Sequence, residues 1–363
     1  MPCLSSISNS NRAMTSHEYQ TNLRKTAPVV LGPILALTLI GALIHLLSQA
    51  DALPPQWPML DMDRTILLHQ SWAASQRHNA QILFVGDSSC LMNVDVPQLS
   101  TKLAKPSLNL ATFSYVDLES HAHLVNRFAQ INPGQPDTVV LLIHPQTLRL
   151  GEPSTHHNAL LRSALGAQPQ NSLRNSNIPP TSPEPWIRKA DPLGITLVRE
   201  RLFGRLVPIP LPGQYGRVYG FTHDLWKKLT AQQGSLVDPH TFNPAKTRAN
   251  TEFRIAPRFQ KEAQQFRKIC PPNTRIVVGL TPIPASMAQP DNNSVYREMI
   301  NDLGRWLSTD LLLTELPTSM PDSQFATLTH LNAHGRQVFT TLLAAELKPQ
   351  SEFSQPRPRN DGK

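Results

Sequence analysis

The sequence predicts an α/β fold built on a parallel sheet, and three observations carry that reading. Short apolar runs alternate with longer segments of helical periodicity. The runs are continuous rather than alternating, which marks strands buried on both faces. The first of them, Ile82 to Val85, stops abruptly at Gly86-Asp87-Ser88-Ser89. Glycine followed by capping side chains is how a strand turns into a helix.

Residues 60–78 carry Leu60, Met62, Ile66, Leu67, Trp72 and Ala73 at helical spacing, so a helix precedes the first strand, 80–86. "SLNLA", 107–111, predicts a short second strand, and "DLESHAHLVNRFAQI" the helix after it. "DTVVLLIH", 137–144, is β-branched and uninterrupted, as a central parallel strand should be. Residues 146–250 then break the pattern with Pro, Asn, Ser and Gly, and "PQNSLRNSNIPPTSPEP" has no periodicity at all. Alternation resumes with a helix over 251–269, a strand at 274–282, a helix over 292–308, a strand at 311–316 and a helix over 332–347. The predicted domain is therefore 60–348 with an insertion at 146–250. Tails 1–26 and 349–363 are polar and predicted disordered, and 49–59 is a proline-stiffened linker.

Residues 27–48 begin with 21 residues free of Asp, Glu, Lys and Arg, the length that spans a bilayer. Arg24 and Lys25 precede this run, whereas Asp51, Asp61 and Asp63 follow it. That asymmetry predicts a single-pass signal anchor in the cell membrane with the folded domain outside the cytoplasm. A cleavable signal peptide is the rival, since "SQADA" at 48–52 offers small residues.

The chain has 363 residues, 40% of them hydrophobic, enough for a substantial core, while 34 prolines imply long irregular stretches. A net charge of +8 could serve nucleic acid, anionic lipid or acidic polysaccharide. No zinc-ligand spacing, aromatic RNA-binding run or basic helix accompanies the charge, so nucleic acid is not expected. Cys3, Cys90 and Cys270 lie too far apart to suggest a metal centre. His330 and His334 are four apart but no Glu follows His330, so neither a metalloprotease helix nor any metal or cofactor is expected. His121 and His123 are read as surface residues, His156 and His157 as exposed in a loose insertion.

Ligands of such sheets bind beyond the carboxyl ends of the strands. Ser88 follows the first strand, and His330 opens the last helix with Leu331 and Asn332. This ordered pair, Gly86-Asp87-Ser88 and His330-Leu331-Asn332, resembles the SGNH (GDSL-like) hydrolases and acyltransferases. "SLNLATFS" and "VVLLIHP" are similar to that family's second and third blocks. The resemblance covers roughly 78–150 and 250–347. It implies a three-layer flavodoxin-like parallel sheet, here with the large insertion and a transmembrane helix.

The resemblance further implies Ser88 as nucleophile and His330 as general base. Ser88's own N–H would serve the oxyanion, with Ser114 and Gln146 near the positions of the family's other donors. Asp87 reads as a turn or capping residue, and Asn332 completes the second motif. Three departures stand out. Thr327 occupies the place of the family's acid, leaving Asp322 as the nearest carboxylate. The glycine of the second block falls near Thr112 to Ser114, and His144, Pro145 and Gln146 stand where an asparagine belongs. The implied activity is ester hydrolysis or O-acetyl transfer on a cell-surface or secreted polysaccharide, compatible with a membrane acyl-donor protein as partner. The alternative is an impaired member that binds polysaccharide or scaffolds a membrane assembly. Tyr215, Arg217, Tyr219, Trp226 and Lys227 are candidates for the polysaccharide, aromatic faces for sugar rings and bases for uronate or phosphate. Equally, these aromatics could only seal the insertion onto the core.

Overall fold

The longest apolar runs form the middle of the sheet. In this computed structural model, which describes residues 29, 31–43, 46–47, 61–166, 210–247 and 252–351, β3 (Thr138–Ile143) and β4 (Arg275–Leu280) pair over their full length. β1 (Ile82–Gly86) lies on the other side of β3, with β2 (Ser107–Asn109) outside it and β6 (Leu311–Leu312) beyond β4. The order is β2-β1-β3-β4-β6 and every pairing is parallel. All of β1 is buried, as its uninterrupted apolar sequence requires. A second, two-stranded sheet pairs β5 (Ile283–Pro284) with β7 (Ser319–Met320), which the sequence pattern did not predict.

Helices pack on this sheet in two rows. α4 (Leu118–Ile131), α9 (Arg258–Ile269) and α10 (Asn292–Leu307) form one, and α3 (Val96–Leu103) packs with α11 (Ala333–Ser351) in the other. α1 (Met62–Ala74) lies against α4. α9 starts at Arg258 rather than at 251 because Pro257 restricts the residue before it. The strand predicted over 311–316 ends at Leu312, after which Leu313 turns in to bond Val278 and the chain leaves the sheet. α11 continues to Ser351, past the predicted boundary.

The insertion also carries described structure: α6 (Thr155–Gly166), α7 (Gly213–Tyr219) and α8 (Thr222–Ala231). α6 and α8 both pack on α1. His157 is accordingly half-buried, its ring 4.4 Å from that of Tyr115, rather than loose in solvent. His121 is likewise buried, its Nε2 2.9 Å from Thr112 Oγ1, because it lies on the inward stripe of α4 with Leu118, Ala122 and Val125. Cys90 and Cys270 are buried free thiols. The predicted tail 1–26, linker 49–59 and "PQNSLRNSNIPPTSPEP" lie outside the described residues.

The chain divides into two units, residues 1–54 with 182–203 and the remainder. In the first, residues 29, 31–43 and 46–47 are helical. Leu31, Ile34, Leu35, Leu37, Leu39, Ile40 and Leu43 all expose more than half of their surface. Among the described residues, no helix is long and apolar enough to cross a membrane.

Candidate active site

β1 ends where it touches β3 most closely. A Cβ at Gly86, whose φ is +142°, would lie 1.9 Å from the Leu142 carbonyl oxygen, so only glycine fits. Asp87 caps the next helix, α2 (Ser88–Asn93), and ties it to β3. Its Oδ1 accepts from the Ser89 N–H (2.9 Å) and hydroxyl (2.5 Å). Its Oδ2 accepts from the His144 N–H (2.9 Å) and the Thr147 hydroxyl (2.5 Å). Four donors make Asp87 a buried strut, which leaves Ser88 as the first residue of α2, at the carboxyl edge between β1 and β3.

His330 sits in a tight loop ahead of α11. Asn93, fully buried at the end of α2, brackets it by donating to the Thr329 carbonyl (3.2 Å) and accepting from the Leu331 N–H (2.7 Å). The Thr327 hydroxyl accepts from the His330 N–H at 3.1 Å, and the Ala326 and Thr327 N–H groups return to the His330 carbonyl. Thr327 therefore shapes the loop and carries no charge. Asn332 caps the first turn of α11 through the N–H groups of His334 and Gly335. These anchors bring His330 Nε2 to 2.9 Å from Ser88 Oγ.

The carboxylate comes from the insertion. His330 Nδ1 lies 2.6 Å from Oδ2 of Asp238, a residue that sequence reasoning missed. Asp238 Oδ1 accepts from His240, through its N–H at 3.0 Å and its Nδ1 at 2.6 Å. The loop delivering Asp238 is docked on the sheet edge. The Asn109 N–H donates to the Gln233 carbonyl and the Leu236 N–H to the Leu91 carbonyl. Gln70 Nε2 bonds the Gly234 carbonyl (3.1 Å) and Asn109 Nδ2 the Ser235 hydroxyl (3.2 Å). Tyr219 closes the docking, its hydroxyl donating to the Val237 carbonyl and accepting from the Val237 N–H.

Electrostatics fix the tautomer. Burial works to raise the Asp238 pKa, yet the hydrogen bonds from His330 and His240 and the charge His330 can carry hold it at about 2. An ionised carboxylate only accepts, so His330 Nδ1 bears the proton and Nε2 is free to accept from the Ser88 hydroxyl. His144 is buried and neutral: burial lowers it to about 4, against the pull of the Asp87 carboxylate. Among the described residues, the backbone N–H groups of Ser88 and Ser114 find no acceptor in the protein.

The other predicted residues scatter. Asp322 Oδ1 accepts from the Ser286 N–H, and no bond joins it to His330. The Gln146 N–H donates to His144 Nδ1 and its Oε1 accepts from Arg149. Tyr215 lies beside the acid, its ring 5.3 Å from His240 and its phenol held neutral by burial and by Asp238. Trp226 packs instead on His69 and Trp72 of α1, with ring separations of 5.0 and 5.6 Å. Arg217 is exposed, as is Lys227, which pairs with Asp224 at 3.7 Å. Among the described residues no cluster of His, Cys, Asp and Glu could hold a metal ion. Comparison of the chain with protein-family models, curated proteins and solved structures found no match.

Proposed function

We propose that this chain is a serine acyl-ester enzyme of the SGNH type, an esterase or O-acetyltransferase acting on a cell-surface or secreted polysaccharide. One observation carries the reading: Ser88, His330 and Asp238 form a continuous hydrogen-bonded relay at the carboxyl edge of the sheet. In that relay Ser88 Oγ attacks the acyl carbonyl while His330 Nε2 takes its proton, and Asp238 steadies the imidazolium that forms. The N–H groups of Ser88 and Ser114 are suited to the oxyanion. Collapse of the tetrahedral adduct expels the alcohol, which receives the proton from His330. Water or a sugar hydroxyl, deprotonated by His330, then attacks the acyl-serine and frees Ser88.

The main-sheet order, two-one-three-four-five along the chain, is that of flavodoxin-like sheets, whose ligands sit where the order reverses. Here the reversal falls between β1 and β3, beside Ser88. The impaired-scaffold alternative rests on Thr327 at the family's acid position and on the missing asparagine; the Asp238 carboxylate beside His330 weighs against the first of these. The exposed apolar side chains of the helix within 29–47 support the proposed anchor over 27–48, and the basic residues before it favour 1–26 in the cytoplasm with 50–363 outside.

The test is hydrolysis of p-nitrophenyl acetate by the detergent-solubilised full chain and by Ser88→Ala. Equal rates in the two would end the enzymatic reading. For topology, alkaline phosphatase fused after residue 60 should be active; an inactive fusion beside an active cytoplasmic reporter reverses the orientation.

A further inference from the structure

The Ser88 relay does not account for a second concavity further along the same sheet edge. A cavity of about 430 Å³ opens beyond the ends of β4 and β6, between α10 and residues 313–319. That volume is in the range of small-molecule sites. Its apolar lining includes Leu280, Ile300 and Leu313. Its polar lining includes Arg297 and Glu315, both exposed, and the buried Tyr296. The Tyr296 hydroxyl is inaccessible to solvent, so Tyr296 forms part of the wall without offering its hydroxyl to the cavity. The Thr318 hydroxyl bonds Asn293 Oδ1 at 2.6 Å, tying α10 to the opposite wall.

The chemistry of this lining selects a ligand class. Arg297 and Glu315 offset one another, so the walls favour neither an anion nor a cation. Guanidinium, carboxylate and hydroxyls together supply donors and acceptors above an aliphatic floor. A neutral sugar matches both, because its hydroxyls donate and accept while its ring C–H faces are apolar. Position adds a length requirement. β4 is two strands from β1, roughly 10 Å at the usual interstrand spacing. A single sugar ring cannot bridge that distance from Ser88, and a short oligosaccharide can.

We propose that this cavity is a subsite for a neutral sugar residue of an oligosaccharide whose acylated position lies at Ser88. The proposal rests on the acyl-ester reading above and specifies its substrate as a chain rather than a monosaccharide. Calorimetry on the full chain carrying Ser88→Ala tests it, with neutral gluco-, manno- and N-acetylglucosamine tetrasaccharides and their monosaccharides as probes. At least one tetrasaccharide should bind, and at least tenfold more tightly than its monosaccharide. Adding Glu315→Ala or Arg297→Ala should weaken that tetrasaccharide about tenfold, the scale of one lost hydrogen bond to a charged group. Thermal melting of each variant shows whether it is folded. Binding by no tetrasaccharide, equal binding of tetrasaccharide and monosaccharide, or unchanged affinity in both folded variants overturns the subsite. A tenfold preference for a uronate tetrasaccharide overturns its neutrality. Tetrasaccharide binding that Glu315→Ala weakens, in a wild-type chain inert toward p-nitrophenyl acetate, retains the sugar site and removes the acyl-ester reading alone.

Discussion

Two regions build the candidate relay, and they are held by different means. The turn from β1 into α2 is secured at short range, with Asp87 taking four donors inside the sheet edge. The 233–240 loop reaches the same point from the insertion, fastened by two bonds from Asn109 of β2, one each to α2 and α1, and by Tyr219. Both regions contain one glycine in very close contact. A Cβ on Gly86 would lie 1.9 Å from the Leu142 carbonyl oxygen, and one on Gly234 (φ +84°) 1.9 Å from that of Asn109. The first contact joins two central strands; the second joins a loop to an edge strand. The difference teaches that Ser88 is placed by the central fold, whereas Asp238 is added to it by the insertion.

Substitutions can break this contrast, beginning with the largest expected effect. Ser88→Ala should lower ester turnover on the order of 10⁶-fold with the melting temperature retained. Asp238→Asn should cost about 10⁴-fold, because the amide leaves His330 in the wrong tautomer. A loss under tenfold would mean that Asp238 does not serve His330. The glycines sharpen the contrast. Gly234→Ala should approach the Asp238→Asn rate while circular dichroism stays native, and Gly86→Ala should abolish folding. A folded, active Gly86→Ala would remove the distinction between the two regions.

Asn93→Ala releases both flanks of His330. A displacement near 1 Å there should lower turnover about 10²-fold. The smallest effect is on stability in acid. The Asp238 pKa is depressed from an ordinary 3.8 to about 2, so its contribution is complete above pH 4. That contribution, on the order of 2 kcal/mol, is lost as pH falls toward 2. Denaturant titrations of wild type and Asp238→Asn should therefore diverge above pH 4 and converge near pH 2. Parallel curves would place the acid outside the stabilised network.

Much of this was legible in the sequence because the signals are local. Continuous apolar runs gave β1, β3, β4 and the start of β6, the shorter "SLNLA" gave β2, and Ser88 and His330 each sit in a short motif beside a strand or helix end. Asp238 had no such frame. It lies in a stretch without periodicity, more than 90 residues from His330 in sequence, so only long-range docking brings it close. The one local hint was "SLVDPH", an apolar step inside a polar region followed by an acid and a histidine. His121, expected at the surface, is buried because it lies in the Leu118–Val125 stripe of α4, whose helical spacing alone predicts burial.

Asp238's place on the insertion gives the relay a threshold of its own. Releasing the 233–240 loop would break a handful of bonds at the sheet edge, so on the proposed reading activity should be lost before the sheet unfolds. Warming, mild denaturant or a protease cutting within 210–247 should silence the chain while its strands remain paired. A ligand that seats the loop would raise the silencing temperature and leave the unfolding temperature almost where it was.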